Sequence, residues 1–452
     1  MQPPTRINIA DVIDDSRIGA YQIRVFALCT ACLLMDGFDV QALGYAAPAL
    51  TQDLHVASSA LGPVFGAANF GVLFGSLLFS MLADKIGRRP VLISATAFFS
   101  ILTLLTARAT SIQELLALRF IAGIGLGSII PQTAALVGEY SPRRNRIAMM
   151  MITNTLGFNG GAMMGGFLYA WLIPMFGWRS VFYIGGITPL VIEMLMYFLL
   201  PESIQFLALR NKNPEKIAHW LNRINPKAAA DGSVEYVVRE ENKSGIPFVH
   251  LFREGRTVVT ILLWLINFMN LLNLYFLASW IPTVVREAGY PVSSAVLVGT
   301  TLQLGGVIGT FVLARFITGR GLVPVLVTSL AIACVSIALI GQPGLSLGIL
   351  TAIVCVAGAG IIGSQPAINA LSATSYPTYL RTTGVGWGLG VGRVGAILGP
   401  VLGGEFLRRQ WTAHEIFLAA ALPALISTLA MITMRWTNRQ DTDANSKTVM
   451  AH

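Results

Sequence analysis

VLISATAFFSILTLLTA, residues 91–107, carries no charged side chain along its whole length. A helix needs about 20 mostly apolar residues to cross a hydrocarbon core, so this run with its flanks is long enough to span a bilayer. Directly before it stands SMLADKIGRRP (80–90), a short cluster of charge and glycine, and before that the chain is apolar again from about residue 60. The alternation recurs to the far end, where ALPALISTLAMITM (421–434) is equally bare of charge. Over all 452 residues, 54% are hydrophobic and only 12% charged, with a mean hydropathy of +0.67. A soluble domain carries roughly 25% charged residues. The chain therefore reads as an all-α, polytopic membrane protein.

Apolar runs bounded by charge, Pro or Gly predict twelve spans: 24–50, 60–82, 90–109, 114–139, 147–173, 179–200, 257–283, 293–317, 322–341, 345–371, 382–407 and 413–434. One long polar insertion, 201–256, divides them six and six, and PEKIAHWLNRI within it has a helical pattern. The expected organisation is a tail (1–23), a six-helix half (24–200), a linker (201–256), a second six-helix half (257–435) and a tail (436–452). Residues 1–23 contain several acids and no apolar core, so no cleavable leader is expected. With both termini inside, most of the 31 Lys and Arg fall on inner loops, while the outer side holds Arg108, Arg179, Arg286, Arg408 and Arg409. This asymmetry obeys the positive-inside rule and places the chain in a cell inner membrane with cytoplasmic termini. It also accounts for the net charge of +9 without nucleic acid.

The stretch LLMDGFDVQAL (33–43) sets two acids into a lipid-like run. A charge at mid-membrane costs at least ~2.5–3.5 kcal/mol, so such residues have a function by default. Asp36 and Asp39, three apart, share a helix face, and a close carboxylate pair takes up a proton as one coupled unit. Hydrated acids near the interface are the alternative. At ~1.5 Å per residue from Arg24, however, Asp36 lies about 18 Å into the span. Two cations also fall within spans. Arg119 is level with Asp39 and is expected to pair with it. Arg393 is then the freer fork for a substrate carboxylate, although the reverse assignment stays open, as does a structural role for Arg393 in its Gly-rich helix. Gln365, beside Pro366 in an expected helix break, and Asn270 or Asn273 are candidates to line a binding site; hydrogen bonding between helices explains the asparagines equally well. Phe38 and Trp387 are candidates to stack on a ring, or simply packing. Glu193 has no assigned role. Cys29, Cys32, Cys334 and Cys355 lie in apolar runs and read as fillers, with no disulfide and no metal site. The five histidines are in loops or tails without ligand spacing, so no enzyme activity and no cofactor other than a coupling proton is expected.

SMLADKIGRRP resembles the signature between spans two and three of the major facilitator superfamily, through Leu82, Asp84, Lys85, Gly87, Arg88 and Arg89, with Ser80 replacing the usual Gly. Asp84 sits at a helix end beside a tight turn, where a carboxylate can latch an opposing helix N-terminus or arginine; a solvated loop of charges is the alternative. The corresponding loop of the second half, ARFITGRGLVP (314–324), has Thr318 where the acid belongs. The resemblance continues through Arg119, Glu139, Pro142 and Arg146, echoed by Tyr376, Pro377 and Arg381, and through PESIQFL (201–207), which is similar to the end of the sixth span in sugar and organic-ion members. It implies the major facilitator fold, two pseudo-symmetric six-helix halves, with Asp84, Gly87, Arg88, Arg89, Glu139 and Arg146 in gating. The fifth span, LGFNGGAMMGGFL, lacks the Gly-Pro of antiporters, which favours a symporter or uniporter. DGFDVQALGYAAPAL (36–50), ILLWLINF (261–268), LASWIPT (277–283) and GVGWGLGVGRVGAILGP (384–400) resemble the aromatic acid:proton symporter family. That resemblance implies import, with protons, of benzoate- or hydroxybenzoate-like acids by a monomer in the bilayer. A sugar, polyol or other organic-ion transporter and a ligand sensor on the same fold are the alternatives.

Overall fold

The computed structural model describes residues 5–210, 214–225, 234–237, 247–253, 255–377 and 380–449. Among these residues, ten helices are long and apolar enough to cross a membrane. Two further helical segments complete the twelve. Span 1, Ala20–Asp53, carries the two acids that lower its hydropathy. Span 5 comprises Arg146–Asn154, a π-helical turn at Thr155–Asn159, and Gly160–Phe176. The others are span 2 (Leu61–Ile86), span 3 (Arg88–Thr106), span 4 (Ile112–Tyr140), span 6 (Arg179–Leu199), span 7 (Thr257–Glu287), span 8 (Val292–Arg320), span 9 (Leu322–Ile340), span 10 (Leu347–Ser375), span 11 (Arg381–Arg408) and span 12, which begins at Ala413. The last helix continues to Val449, through most of the expected C-terminal tail.

Lipid supplies no hydrophobic drive between helices, so small residues that let backbones approach decide which helices pair. A methyl group at Gly37 would overlap the Phe158 carbonyl, and one at Gly161 the Leu34 carbonyl, so spans 1 and 5 touch backbone to backbone. Spans 7 and 11 do the same through Gly395 and Gly399 against Phe268 and Leu272. Span 2 meets span 4 through Gly71 and Gly75, and span 8 meets span 10 through Gly305 and Gly358. Spans 3 and 6 pack together, as do spans 9 and 12. The pairing scheme of the first six spans thus recurs in the last six, as expected of an internal repeat.

Two compact units are present, and they cut across individual helices. The first comprises Met1–Ala42, Phe70–Gly165 and Trp178–Asn242; the second comprises Leu43–Asn69, Gly166–Gly177 and Lys243–His452. In the first, described parts of the expected N-terminal tail and linker pack together. Thr5–Asn8 pairs in parallel with Val234–Val237, and Ile9, Val12 and Ile13 of the helix Ile9–Asp14 bury against Ile217 and Leu221 of Pro214–Ile224. In the second, the later parts of span 1 and the start of span 2 seat on spans 7 and 11. Phe65 meets Trp280 edge to face at 5.5 Å, Ser58 donates to Glu287 at 2.8 Å, and Gly62 abuts Gly404.

Candidate functional site: a buried ion pair and a half-buried arginine

In the first unit, three helices bring polar groups to one point, and a fourth packs against it. Asp36 and Asp39 of span 1 are each only 2% exposed, and Arg119 of span 4 is 3% exposed. Arg119 Nη1 lies 3.1 Å from Asp39 Oδ2. Span 3 surrounds the pair with hydroxyls: Thr103 donates to Asp39 at 2.9 Å, while Arg119 Nη2 donates to Thr103 at 3.1 Å and to Thr106 at 2.9 Å. The guanidinium also sits 5.1 Å from the centre of the Phe182 ring of span 6. Gly185, one turn along, faces the carboxylate: a methyl there would lie in ordinary contact with Asp39 Oδ1, at 3.9 Å. Buried charges persist where they are paired and hydrogen-bonded, and this pair meets both conditions. Arg119 thus stands beside Asp39, as its depth in span 4 predicts. Thr103 and Thr106 escaped the sequence reading because threonine is common in apolar helices and carries no spacing signal. Phe38 is buried against Gly165 and the Gly185 face.

In the second unit, Arg393 of span 11 is half-buried and donates to the Tyr275 hydroxyl at 3.2 Å. Span 10 breaks between Ile361 and Gln365, as the Gln-Pro pair predicts. The break frees Gln365 to knit an amide cluster. Asn270 donates to Gln365 at 2.7 Å and to the Ile361 carbonyl at 3.1 Å, and Gln365 donates to Asn267 at 3.2 Å and to Asn369 at 3.1 Å. Span 11 lies against this cluster, since a methyl on Gly388 would touch Asn267 Nδ2 at 3.4 Å. Asn273 points elsewhere. With its amide oriented to satisfy both groups, it donates to Ala420 O at 2.7 Å and accepts from Ala424 N at 3.2 Å, joining span 12. Three asparagines spaced by three cannot share one direction on a 3.6-residue helix, and the third has turned away. Trp387 is 47% exposed and stacks on Trp264, with ring centroids 6.0 Å apart, and meets the Phe248 ring at 4.5 Å, tilted by 49°.

The signature loop between spans 2 and 3 is organised around a different acid from the expected one. Glu202 accepts from the backbone N–H groups of Arg88 and Arg89, both at 3.0 Å, at the start of span 3, where the helix dipole favours a negative charge. Arg88 pairs with Glu139 at 3.0 Å, Ser203 donates to Glu139, and Tyr140 donates to the Glu202 carbonyl at 2.7 Å. The Asp84 side chain is exposed, and its carbonyl accepts from Arg210 at 3.3 Å. Arg146 reaches Asp14 at 3.5 Å. Glu202 was visible in the sequence only as part of PESIQFL. Gly87, at φ 110°, turns the chain so that the Glu202 carboxylate fills the space a side chain would take. Gly87→Ala combines a left-handed backbone with that overlap and is expected to cost about 1–3 kcal/mol. A lowered melting temperature of the purified protein, absent in Gly386→Ala where a methyl meets open space, checks this.

The sequence profile of the Major Facilitator Superfamily matches residues 29–390 and 263–451. The chain is 36% identical over 428 residues to the 4-hydroxybenzoate transporter PcaK of Pseudomonas aeruginosa, covering 94% of this chain and 95% of the relative. It is 38% identical over 434 residues to the gallate transporter of Pseudomonas putida, covering 96% of each. It is 34% identical to the benzoate transport protein of Acinetobacter baylyi, covering 93% and 91%. Among solved structures, a D-xylose-proton symporter aligns with a TM-score of 0.72 at 17% identity over 92% of this chain and 97% of that one, which shows the fold. The twelve helical segments, the repeated pairing of helices and the end-to-end match together make this chain a multi-pass membrane transporter of the Major Facilitator Superfamily.

Proposed function

We propose that the protein is a proton-coupled symporter that imports an aromatic carboxylate of the benzoate or hydroxybenzoate class across the inner membrane, with both termini in the cytoplasm. The observation that carries the substrate reading is Arg393, a permanently charged fork set inside span 11 and, among the described residues, held by the neutral Tyr275 hydroxyl with no carboxylate at ion-pair distance. A neutral sugar gives such a cation nothing to balance, whereas a carboxylate does. The named substrates of the similar chains, hydroxybenzoate, gallate and benzoate, all carry a ring and a carboxylate. The amide cluster of Asn267, Asn270 and Gln365 supplies neutral donors and acceptors suited to ring hydroxyls.

In this reading Asp39 takes the proton. Protonation removes its attraction for Arg119, leaves the arginine to its two threonine hydroxyls, and biases the equilibrium between conformations. Asp36, on the same face of span 1, is the second member of the titrating unit. The charge asymmetry of the loops supports the orientation. Uptake of radiolabelled benzoate, 4-hydroxybenzoate and gallate into cells, with xylose as a neutral control, tests the proposal. Uphill uptake of at least one acid, collapsed by an uncoupler, is expected. Acid uptake that ignores the uncoupler would remove the proton from the mechanism, and uptake of xylose alone would remove the carboxylate.

A further inference from the structure

A groove of about 400 Å³ runs along spans 8, 9 and 10 in the second unit, away from the residues assigned to transport. Ile308, Val312, Phe316 and Arg320 follow one another at four-residue intervals, so they form a single stripe along span 8. Ile332 of span 9 and Val356 of span 10 form the facing walls, and at the floor Gly309 lets span 8 approach span 10 while Gly360 lets span 10 approach span 9. The wall residues are exposed: Ile308 48%, Phe316 47%, Ile332 49%. In a membrane-spanning segment that exposure is to lipid. The groove ends in a cation. Arg320 is the last residue of span 8 and is exposed, and its guanidinium is steadied 5.4 Å from the centre of the Phe316 ring. Gly319 and Gly321, on either side, leave open space around it. In the matching loop of the first half, Arg88 is occupied by Glu139. Here Thr318 stands at the position of Asp84, and among the described residues no carboxylate lies within ion-pair distance of Arg320.

We propose that this groove binds an anionic glycerophospholipid, one acyl chain lying along the stripe and the headgroup phosphate on Arg320. The dimensions agree: from Ile308 to Arg320 the helix rises about 18 Å, against about 15 Å for one leaflet of hydrocarbon. The chemistry agrees as well, because apolar walls ending in a basic residue at a helix end match a chain below an anionic head.

Native mass spectrometry of the purified full-length protein, titrated with palmitoyl-oleoyl phosphatidylglycerol or the matching phosphatidylcholine, tests this directly. Phosphatidylglycerol adducts are expected to outnumber phosphatidylcholine adducts several-fold. Arg320→Gln should reduce them at least fivefold, to the phosphatidylcholine level, while Arg320→Lys, which keeps a point charge for phosphate, should retain most of them. Val312→Trp, or Ile332→Trp if the first variant does not fold, fills the groove and should remove adducts of both lipids. Arg315→Gln, about 140° away around the same helix, should change little. Equal retention of the two lipids by the wild type would overturn the proposal. An undiminished preference in Arg320→Gln, or a loss in Arg315→Gln as large as in Arg320→Gln, would do the same. So would full competition by glycerol 3-phosphate, which has the head without the chain.

Discussion

Asp39→Asn is expected to abolish uphill accumulation of substrate while leaving the protein in the membrane. The substitution keeps the shape of the side chain and its bond from Thr103, but it removes the carboxylate that pairs with Arg119 at 3.1 Å. Removing one member of a buried, hydrogen-bonded pair costs roughly 3–5 kcal/mol, because the other charge stays buried without compensation. Thr103 and Thr106 retain their bonds to Arg119 and soften the loss. The variant mimics a permanently protonated carboxyl, so it separates coupling from passage. Counterflow between preloaded substrate and label should persist, whereas accumulation driven by a pH gradient should fall to the level set by an uncoupler. Accumulation at the wild-type level in Asp39→Asn would move proton coupling to Asp36 or out of span 1 altogether.

Arg393→Lys is expected to weaken binding of benzoate and 4-hydroxybenzoate by one to two orders of magnitude, measured by calorimetry on purified protein. A lysine keeps the charge but loses the planar fork that meets both carboxylate oxygens. A charge-assisted hydrogen bond is worth about 1.5–3 kcal/mol, which is the scale of the expected loss. Tyr275→Phe removes only the hydroxyl that steadies the guanidinium and should cost about 0.5–1.5 kcal/mol. Benzamide, lacking the charge, should bind poorly to the wild type and no worse to Arg393→Lys. If Arg393→Lys binds the acids normally, the cation that meets the substrate is not Arg393, and the carboxylate reading loses its chemical support.

The sequence made legible what depends on one helix at a time. Helix number follows from apolar runs, and the break before Gln365 follows from a proline that removes a backbone donor. The Asp39–Arg119 pair follows from depth, because a buried charge has few places to find its opposite. What stayed hidden depends on where helices face. Asn270 and Asn273 look alike in the sequence, yet one serves the amide cluster and the other ties span 7 to span 12. The loop signature pointed to Asp84, whose side chain is exposed, and gave no sign that the start of span 3 is capped by Glu202, brought there by the fold from more than a hundred residues away. Tyr275 and the threonines around Arg119 have no periodicity to distinguish them from packing residues. The linker illustrates the same limit: its amphipathic helix was readable, while its pairing with the N-terminus was not, since four-residue strands give almost no signal.

That pairing has a consequence in time. Thr5 lies opposite Val234, so more than half of the 452 residues separate the partners. At ~5–20 residues per second the ribosome takes about 10–50 s to cover that distance. Throughout that interval six spans enter the bilayer with the N-terminal strand lacking its mate. The first six helices must therefore assemble on their own glycine contacts, and the strand pair closes afterwards, marking the moment at which the first half is complete and synthesis of the second begins.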